Sequence, residues 1–295
     1  MTRQILNENN HQKFLIFLHI QKTGGITIQR ILRRKLGQSL ITRISRSFQH
    51  QDQADSLIES LKAKTSSDRY FIGHSCYGIH QYLPHPFTYM SLLREPVSRI
   101  VSLYYFSKSN STAYYHEHAV DKSLEDFALN TPLMELDNGQ VRFIAGDEQD
   151  CFINRTPFGE CSEQLLEHAK QNIEKHFSLI GLTEYFDQSI LLMGTLMGWN
   201  NCLYLKRNIS RSKAANVVSQ QLREAIAQQN WLDIQLYEYV KQRFFIQLAK
   251  HNLDKPTLLQ NFQTQNRKFN QYLNYPYTAY DRLKALLRGQ IGRPS

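Results

Sequence analysis

The sequence predicts an α/β domain in which helices cover both faces of a parallel sheet. Residues 14–20 form an uninterrupted apolar run, which is typical of a strand buried on both faces. Further apolar segments occur at 70–72, 87–93 and 177–184, and segments with helical spacing separate them. This alternation is characteristic of parallel sheets, because parallel neighbours need a long crossover connection. A glycine-rich turn joins the first strand to the first helix, so we expect a P-loop-like fold.

The first half of the chain opens with the strand, the turn and a helix. Apolar residues recur at helical spacing after the turn, and Gly37 is a stop signal, so the helix is predicted to end there. A second helix is predicted at 52–64, where Asp52 and Asp55 open the segment. After the strand at 87–93, Pro96 lies where the first turn of a helix tolerates proline.

The second half is mainly helical. Its predicted helices lie at 122–129, 133–145, 163–176, 185–198, 219–228 and 231–249. One buried strand, at 177–184, interrupts this series, and residues 202–205 are a possible last strand. The strand at 177–184 then extends the sheet that the first half begins.

Residues 1–255 are predicted to form the folded domain and residues 256–295 a basic, aromatic tail. From Phe262 onward there are six Lys and Arg residues and four tyrosines, with Asp281 as the sole acidic residue. The pattern predicts one short helix near 278–288. An anion-binding tail and an ordinary packed or loosely ordered terminus both fit this composition.

The composition limits the classes of function. A chain of 295 residues with a net charge of +9 suits anionic partners, such as nucleotide phosphates, nucleic acid, acidic glycans or an anionic membrane. Four cysteines without a CxxC pair argue against a disulfide scaffold and against a cysteine zinc site. Cys151 and Cys161 are expected to be reduced thiols, and a disulfide between them in an oxidising compartment is the alternative. The sequence shows neither a signal peptide nor a transmembrane run, so we expect a cytoplasmic protein.

The first candidate site is the turn at residues 21–27, with the sequence QKTGGIT. Glycines allow a tight turn that brings backbone N–H groups close to an anion, and the helix N-terminus adds a partial positive charge. Lys22 supplies a full charge and Thr27 a hydroxyl group. The turn lacks the Walker A order, because its lysine precedes the glycines. An ordinary strand–helix turn is the alternative interpretation.

The second candidate site lies in LLREPVSRIVS, at residues 92–102. Arg94 ends a buried strand, at the sheet edge where open α/β folds bind ligands. Its guanidinium group can grip a phosphate with two hydrogen bonds, and Ser102 on the following helix can complete the contact. Ser98 and Arg99 are nearby candidates. Alternatively, Arg94 pairs with a carboxylate such as Glu95.

The third candidate site is the segment GHSCYGIH, at residues 73–80. His74 follows the second strand, at the same predicted sheet edge as the two phosphate sites. A histidine is suited to act as a general base near neutral pH. A loop histidine bonded to the backbone is the alternative interpretation. The nearby sequence His116-Glu117-His118 does not match a metal-binding HExxH pattern, so no metal site is predicted.

Taken in order, FLHIQKTGG, Gly-His and LLREPVSRIVS resemble the sulfotransferases that use 3′-phosphoadenosine 5′-phosphosulfate. The most similar branch includes the heparan sulfate 2-O- and 6-O-sulfotransferases. The resemblance covers roughly residues 14–250, including DNGQVRFIAG at 137–146 and SLIGLTEYFD at 178–187. Three motifs in order are more specific than any one of them.

The resemblance implies where the donor is held. The side chain of Lys22 and the loop that follows it correspond to the 5′-phosphosulfate site. That site comprises the backbone of Thr23, Gly24, Gly25 and Ile26, with the hydroxyl of Thr27. Arg94 and Ser102 correspond to the pair of residues that binds the 3′-phosphate. Ile26 departs from the pattern, since relatives often have Thr or Ser there.

The resemblance also implies a catalytic base and a closing loop. His74 lies at the position of the family's base, and His80 is the alternative because the local alignment can slip. Lys22 is expected to stabilise charge on the leaving phosphate. Arg207, in the segment 206–211, corresponds to the loop that closes over the nucleotide.

The predicted function is therefore transfer of a sulfuryl group from 3′-phosphoadenosine 5′-phosphosulfate to a hydroxyl group, on a carbohydrate acceptor. No metal and no nucleic-acid partner are expected. Without a membrane anchor, a soluble enzyme of bacterial type is favoured over one that acts on heparan sulfate in a secretory pathway. The alternatives are a nucleotide-dependent kinase and a non-enzymatic basic module that binds glycan or nucleic acid.

Overall fold

The computed structural model describes residues 14–36, 41–44, 59, 70–83, 86–146, 156–205 and 218–287. Its strands are β1 (Phe14–Leu18), β2 (Ile41–Ile44), β3 (Tyr70–Gly73), β4 (Phe87–Leu93) and β5 (Phe177–Leu182). Its helices are α1 (Gly25–Leu36), α2 (Pro96–Ser109), α3 (His116–Ala119), α4 (Leu124–Leu129), α5 (Gly139–Ala145), α6 (Glu163–His176), α7 (Phe186–Leu196), α8 (Gln220–Gln229), α9 (Trp231–Lys250) and α10 (Pro256–Leu287).

The strands form one parallel sheet in the order β2-β3-β1-β4-β5. β1 is central, and its last residue, Leu18, is paired with Gly73 on one side and Ser91 on the other. Every residue of β1 is buried, which explains its uninterrupted apolar sequence. Burying a side chain such as Ile16 contributes about 1.5–3 kcal/mol. The prediction of a parallel sheet is confirmed.

The strand order places helices on both faces of the sheet. From β1, the chain crosses the sheet past β3 to reach β2 at one edge. From β4, it crosses in the opposite direction to reach β5 at the other edge. Because parallel crossovers are right-handed, α1 lies on one face and the helices between β4 and β5 lie on the other. The direction changes between β1 and β4, so the carboxyl ends of these two strands border the crevice where open α/β sheets bind ligands.

Helix α2 begins where the sequence predicts it. Pro96 is its first residue, and the Glu95 carboxylate accepts hydrogen bonds from the N–H groups of Val97 (3.0 Å) and Ser98 (2.8 Å). These bonds satisfy two donors that have no partner within the helix. The buried side of α2 packs in a small apolar cluster that also includes residues of α3, α4 and α8.

The helix predicted at 133–145 is interrupted. A short 3₁₀ turn covers Met134–Leu136, and α5 starts only at Gly139. Between them, Asn138 adopts a left-handed conformation with φ of 51°. Its side-chain oxygen accepts hydrogen bonds from the first turn of α9, at Leu232 (3.0 Å) and Asp233 (3.2 Å). This long-range contact favours the break over a continuous helix.

Residues 202–205 do not form the predicted last strand. The backbone of Tyr204 is bound by two asparagine side chains of α10 instead of a neighbouring strand. Its N–H donates to Asn266 (2.8 Å), and its carbonyl accepts from Asn270 (2.8 Å). Side chains thus replace the ladder of hydrogen bonds that a strand would need.

The tail contains more helix than the short segment predicted near 278–288. One helix, α10, spans 32 residues from Pro256 to Leu287. Its first half packs against α7, and Gln263 donates a hydrogen bond to Asp187 (3.0 Å). These contacts join the beginning of the tail to the domain. The boundary at residue 255 and the role of the tail remain predictions.

Several predicted features lie outside the described residues. They are most of the helix at 52–64, the segment 206–211 with Arg207, and Cys151. Cys161 is a free thiol, and burial raises its pKa to about 12. Within the described segments, no helix combines the length and apolar character needed to cross a membrane.

Candidate active site

The loop between β1 and α1 forms a tight turn. Lys22 and Gly24 both have positive φ angles, of 65° and 87°. Inside the loop, the Thr23 hydroxyl donates to the carbonyl of Ile20 (2.9 Å), and the N–H of Thr27 donates to the carbonyl of Gly24 (3.0 Å). These bonds hold the turn at the start of α1, where the first N–H groups of the helix lack intrahelical partners.

The two glycines of this loop are required by packing beneath it. A Cβ atom on Gly25 would lie 2.0 Å from the ring of His19, and one on Gly24 would lie 2.9 Å from the ring of Phe186. The first contact is far below any real Cβ separation, and the His19 ring is buried. The glycines thus allow the loop to lie close to the aromatic rings under it.

The structure brings Arg94 and Lys22 together at the carboxyl edge of the sheet. Arg94 follows β4, the neighbour of β1, and its Nη1 atom donates to the carbonyl of Lys22 (3.2 Å). Thr183, which follows β5, has its hydroxyl 2.8 Å from the carbonyl of Thr23 and 3.0 Å from that of Leu93. Three adjacent strand ends are therefore connected at this point.

The Lys22 side chain extends toward helix α2. Its Nζ atom lies 3.9 Å from the centroid of the Phe106 ring. Phe106 is four residues after Ser102, so both lie on the same face of α2. Ser102 is partly buried and Phe106 is exposed. The predicted 5′- and 3′-phosphate sites are therefore close to each other.

The charge at this site favours an anion. Burial, with a smaller effect from the nearby positive charge of Arg94, lowers the pKa of Lys22 to about 8. Burial also lowers the pKa of Arg94, while Glu184 and Glu95 oppose that shift. Two neighbouring cations repel each other, and a bound anion would relieve this repulsion.

Arg99, a nearby candidate in the sequence, has a structural role. It is fully buried and forms an ion pair with Glu135 at 3.2 Å. The carboxylate of Asp233 is 3.9 Å from the same guanidinium group. A buried arginine with this pairing supports the packing of α2 and is not available to a ligand.

His74 lies immediately after β3, beside the end of β1. Its Nδ1 atom is 2.7 Å from the carbonyl oxygen of His19. Because a carbonyl oxygen can only accept, Nδ1 must carry the proton, so the neutral ring has its lone pair on Nε2. This tautomer leaves Nε2 as the atom that can accept a proton from a substrate.

His19 is a buried residue of the site that the sequence did not indicate. Its ring stacks on that of His74, with centroids 4.2 Å apart. The amide nitrogen of Gln29, on α1, is 2.9 Å from His19 Nδ1. Since an amide nitrogen only donates, His19 Nδ1 accepts. A polar residue at the end of a buried apolar strand is the signal that could have identified it.

His80, the alternative base, lies at the opposite edge of the sheet. Its ring stacks on Phe87, at the start of β4, with centroids 4.0 Å apart, and its Nδ1 is 2.9 Å from the Tyr89 hydroxyl. Arg94 follows the other end of this seven-residue strand, about 20 Å away. Burial, with a smaller effect from His176, lowers the pKa of His80 to about 4. The geometry therefore favours His74.

The structure also shows what surrounds the remaining predicted residues. Ile26 is 47% exposed at the loop, so the position where relatives often have a hydroxyl faces the solvent. In the part of the chain that the structure describes, no group of three or more His, Cys, Asp or Glu side chains is arranged to hold a metal ion.

Comparison with known proteins identifies the family. The family model for galactose-3-O-sulfotransferase matches residues 3–273. The chain belongs to the galactose-3-O-sulfotransferase family. The match includes all three predicted motifs and extends into α10.

The names of individual relatives of this chain refer to different acceptors. Human heparan-sulfate 6-O-sulfotransferase 2 is 25% identical over 276 residues, covering 78% of this chain and 44% of that protein. Mouse galactose-3-O-sulfotransferase 3 is 26% identical over 254 residues, covering 79% of this chain and 57% of that protein. The chain thus spans about half the length of these relatives.

Among solved structures, mouse sulfotransferase SULT7A1 complexed with PAP aligns with 88% of this chain and 89% of that chain. The TM-score is 0.38 and the sequence identity is 13%.

Proposed function

We propose that this protein transfers a sulfuryl group from 3′-phosphoadenosine 5′-phosphosulfate to a hydroxyl group of a carbohydrate. The observation on which this rests is the contact of Arg94 with the carbonyl of Lys22 at the end of adjacent strands. This contact places the cationic side chains of Lys22 and Arg94 in one crevice. A donor that carries phosphate groups at two positions requires such a pair of sites. Family membership supports the reaction class.

In this proposal the donor lies across the loop that follows β1 and the segment that follows β4. The N–H groups of residues 23–26, the Lys22 ammonium and the Thr27 hydroxyl hold the 5′-phosphosulfate. Arg94 and Ser102 hold the 3′-phosphate, which distinguishes this donor from ATP. Arg207 remains a proposed contact of the closing loop. The positive charge of Lys22 and of the helix N-terminus is present before the donor binds, as electrostatic catalysis requires.

The transfer step uses His74 and Lys22. His74 Nε2 accepts the proton of the acceptor hydroxyl while the acceptor oxygen forms a bond to sulfur. The bond from sulfur to the bridging oxygen of the 5′-phosphate breaks, and adenosine 3′,5′-bisphosphate leaves. Lys22 stabilises the negative charge that develops on that oxygen, so the reaction we propose needs no metal ion.

The acceptor is proposed to be a glycan. The names of the relatives above include a sulfated polysaccharide, heparan sulfate, and a sugar, galactose, and both present hydroxyl groups. A nucleotide-dependent kinase is the rival enzyme class. The absence of a Walker A motif from the sequence, and a lysine that precedes the glycines, disfavour it.

Adenosine 3′,5′-bisphosphate is expected to stabilise the protein. A ligand present at 100 times its dissociation constant adds about 2.7 kcal/mol to the free energy of unfolding, which a thermal melt detects. Adenosine 5′-monophosphate, without the 3′-phosphate, is the matched control and should give a smaller shift. A clear shift with Mg-ATP and none with adenosine 3′,5′-bisphosphate would contradict the donor assignment and favour a kinase.

Arg94→Ala and Ser102→Ala are expected to weaken binding of adenosine 3′,5′-bisphosphate far more than binding of adenosine 5′-monophosphate. A charge-assisted hydrogen bond contributes about 1.5–3 kcal/mol, so the arginine variant should show the larger loss in calorimetric titrations. Ser109→Ala, on the exposed end of α2, is the control for Ser102. Equal losses for both nucleotides would assign the two residues a structural role.

A further inference from the structure

The segment DNGQVRFIAG, at residues 137–146, contains polar side chains that the proposed reaction does not use. Asn138, Gln140 and Arg142 are all buried, at 2%, 0% and 2% exposure. Arg142 pairs with Asp137 inside the same segment. Buried polar groups need specific partners, so the partners of Gln140 indicate its role.

Both ends of the Gln140 amide are bound to the backbone of one residue. Its oxygen accepts from the N–H of Arg94 (2.9 Å), and its nitrogen donates to the carbonyl of Arg94 (2.8 Å). This is the pair of bonds that a neighbouring strand would provide, at a point where β4 has already ended. A side chain 46 residues away in sequence thus fixes the backbone of Arg94.

Gln140 is itself held by two helices that cap each other. The carboxylate of Asp233, in α9, accepts from the N–H groups of Gln140 (3.1 Å) and Val141 (2.8 Å) at the start of α5. In return, the side chain of Asn138 accepts from the first turn of α9. Asp233 is fully buried, so this frame is shielded from water. The amide of Gln140 consequently has little freedom to move.

We propose that Gln140 is a positioning residue for recognition of the 3′-phosphate, because it fixes the backbone from which Arg94 reaches its ligand. The inference rests on the proposed function, in which Arg94 holds that phosphate. Gln140 does not touch the nucleotide. It sets the position of the guanidinium group, and small displacements of such groups weaken a bidentate contact strongly.

A purely structural role for Gln140 makes a different prediction. In that case its loss would lower the melting temperature and weaken all nucleotides equally. If Gln140 has a positioning role, its loss instead lowers the preference of the protein for a nucleotide with a 3′-phosphate. The ratio of the dissociation constants for adenosine 5′-monophosphate and adenosine 3′,5′-bisphosphate measures this preference directly, because general weakening of the fold affects both ligands.

The test compares Gln140→Leu and Gln140→Glu with wild type by calorimetric titration of both nucleotides. Leucine removes both hydrogen bonds, while glutamate keeps the shape and the acceptor but in its ionised form cannot donate to the Arg94 carbonyl. We expect each to lower the ratio about tenfold or more. Val141→Ala, in the same helix, is the control, since it truncates a buried side chain that is not bonded to Arg94; its ratio should stay at the wild-type value.

The outcomes separate this inference from the proposed function. A wild-type protein that prefers the 3′-phosphorylated nucleotide, with variants that keep the full preference, would overturn the inference and leave the function standing. A wild-type protein without that preference would overturn the donor assignment and the inference together. If Gln140→Leu does not fold, the ratio for Gln140→Glu decides alone.

Discussion

His74→Ala is expected to lower kcat by about 10²–10⁴-fold while the affinity for adenosine 3′,5′-bisphosphate stays near the wild-type value. The reason is that Nδ1 of His74 donates to the His19 carbonyl, so Nε2 is the proton-accepting atom of the neutral ring. Activity should also fall at acidic pH, because a protonated imidazole cannot accept another proton. Initial rates with labelled donor, measured against pH, provide the test.

His80→Ala is the matched control for this experiment. His80 is in the segment that follows the same strand, but it packs against Phe87 at the amino edge of the sheet. Its loss should reduce stability by removing buried contacts and leave kcat of the folded enzyme close to wild type. An inactive His80→Ala with an active His74→Ala would reverse the two assignments. Near-full activity in both would place the base elsewhere.

Lys22→Met is expected to lower kcat by about 10²–10³-fold, the size of effect seen when one group that stabilises a developing oxyanion is removed. Methionine keeps the length of the side chain and its packing on Phe106 but removes the charge. Lys35→Met, at the end of α1, is the matched control and should retain wild-type activity. Wild-type turnover in Lys22→Met would exclude Lys22 from the transfer step.

The lowered pKa of Lys22 adds two consequences that involve pH. Its pKa of about 8 in the folded protein is below the ordinary lysine value of 10.5, so the charged form destabilises the fold below pH 8. The free energy of unfolding should therefore rise between about pH 8 and 10.5, and Lys22→Met should lack this rise. A bound anion favours the charged form, so donor affinity should fall as the pH increases past about 8.

The parts of the fold that follow from local patterns were predicted correctly. The strand at Phe87–Leu93 and the helix at Glu163–His176 have the bounds that the sequence indicates. In both, the pattern of apolar residues and the residues at the ends act within a few positions of the chain. The glycine-rich turn after β1 was recognisable for the same reason.

The elements that were predicted wrongly depend on distant partners. The apolar pattern at 202–205 fits a strand, but Asn266 and Asn270 bind the backbone of Tyr204 from a helix more than 60 residues later. The break at Asn138 likewise depends on the start of α9. A sequence window cannot include such contacts, because the two partners are far apart along the chain.

The same reasoning explains which site residues were missed. Lys22, Arg94 and His74 follow strands, and that position, together with their side-chain chemistry and the resemblance to sulfotransferases, suggested their involvement. His19 and Gln140 are buried, and they contact the proposed site residues His74 and Arg94 from the protein interior. Their importance arises from hydrogen bonds to other elements. For His19, the indication in the sequence was a polar residue at the end of an apolar buried strand. For Gln140, it was the segment at 137–146 that the resemblance includes.

The ring of His19 has a consequence for redesign of this enzyme. It fills the volume that a side chain at Gly25 would need, and it also stacks on the ring of His74. The proposed donor loop and the proposed base therefore contact the same imidazole ring. A side chain introduced at position 25 would have to displace this ring, and the displacement would disturb its stacking on His74. Ile26, the next residue of the loop, is exposed, so we expect a substitution there to leave the His19 ring in place.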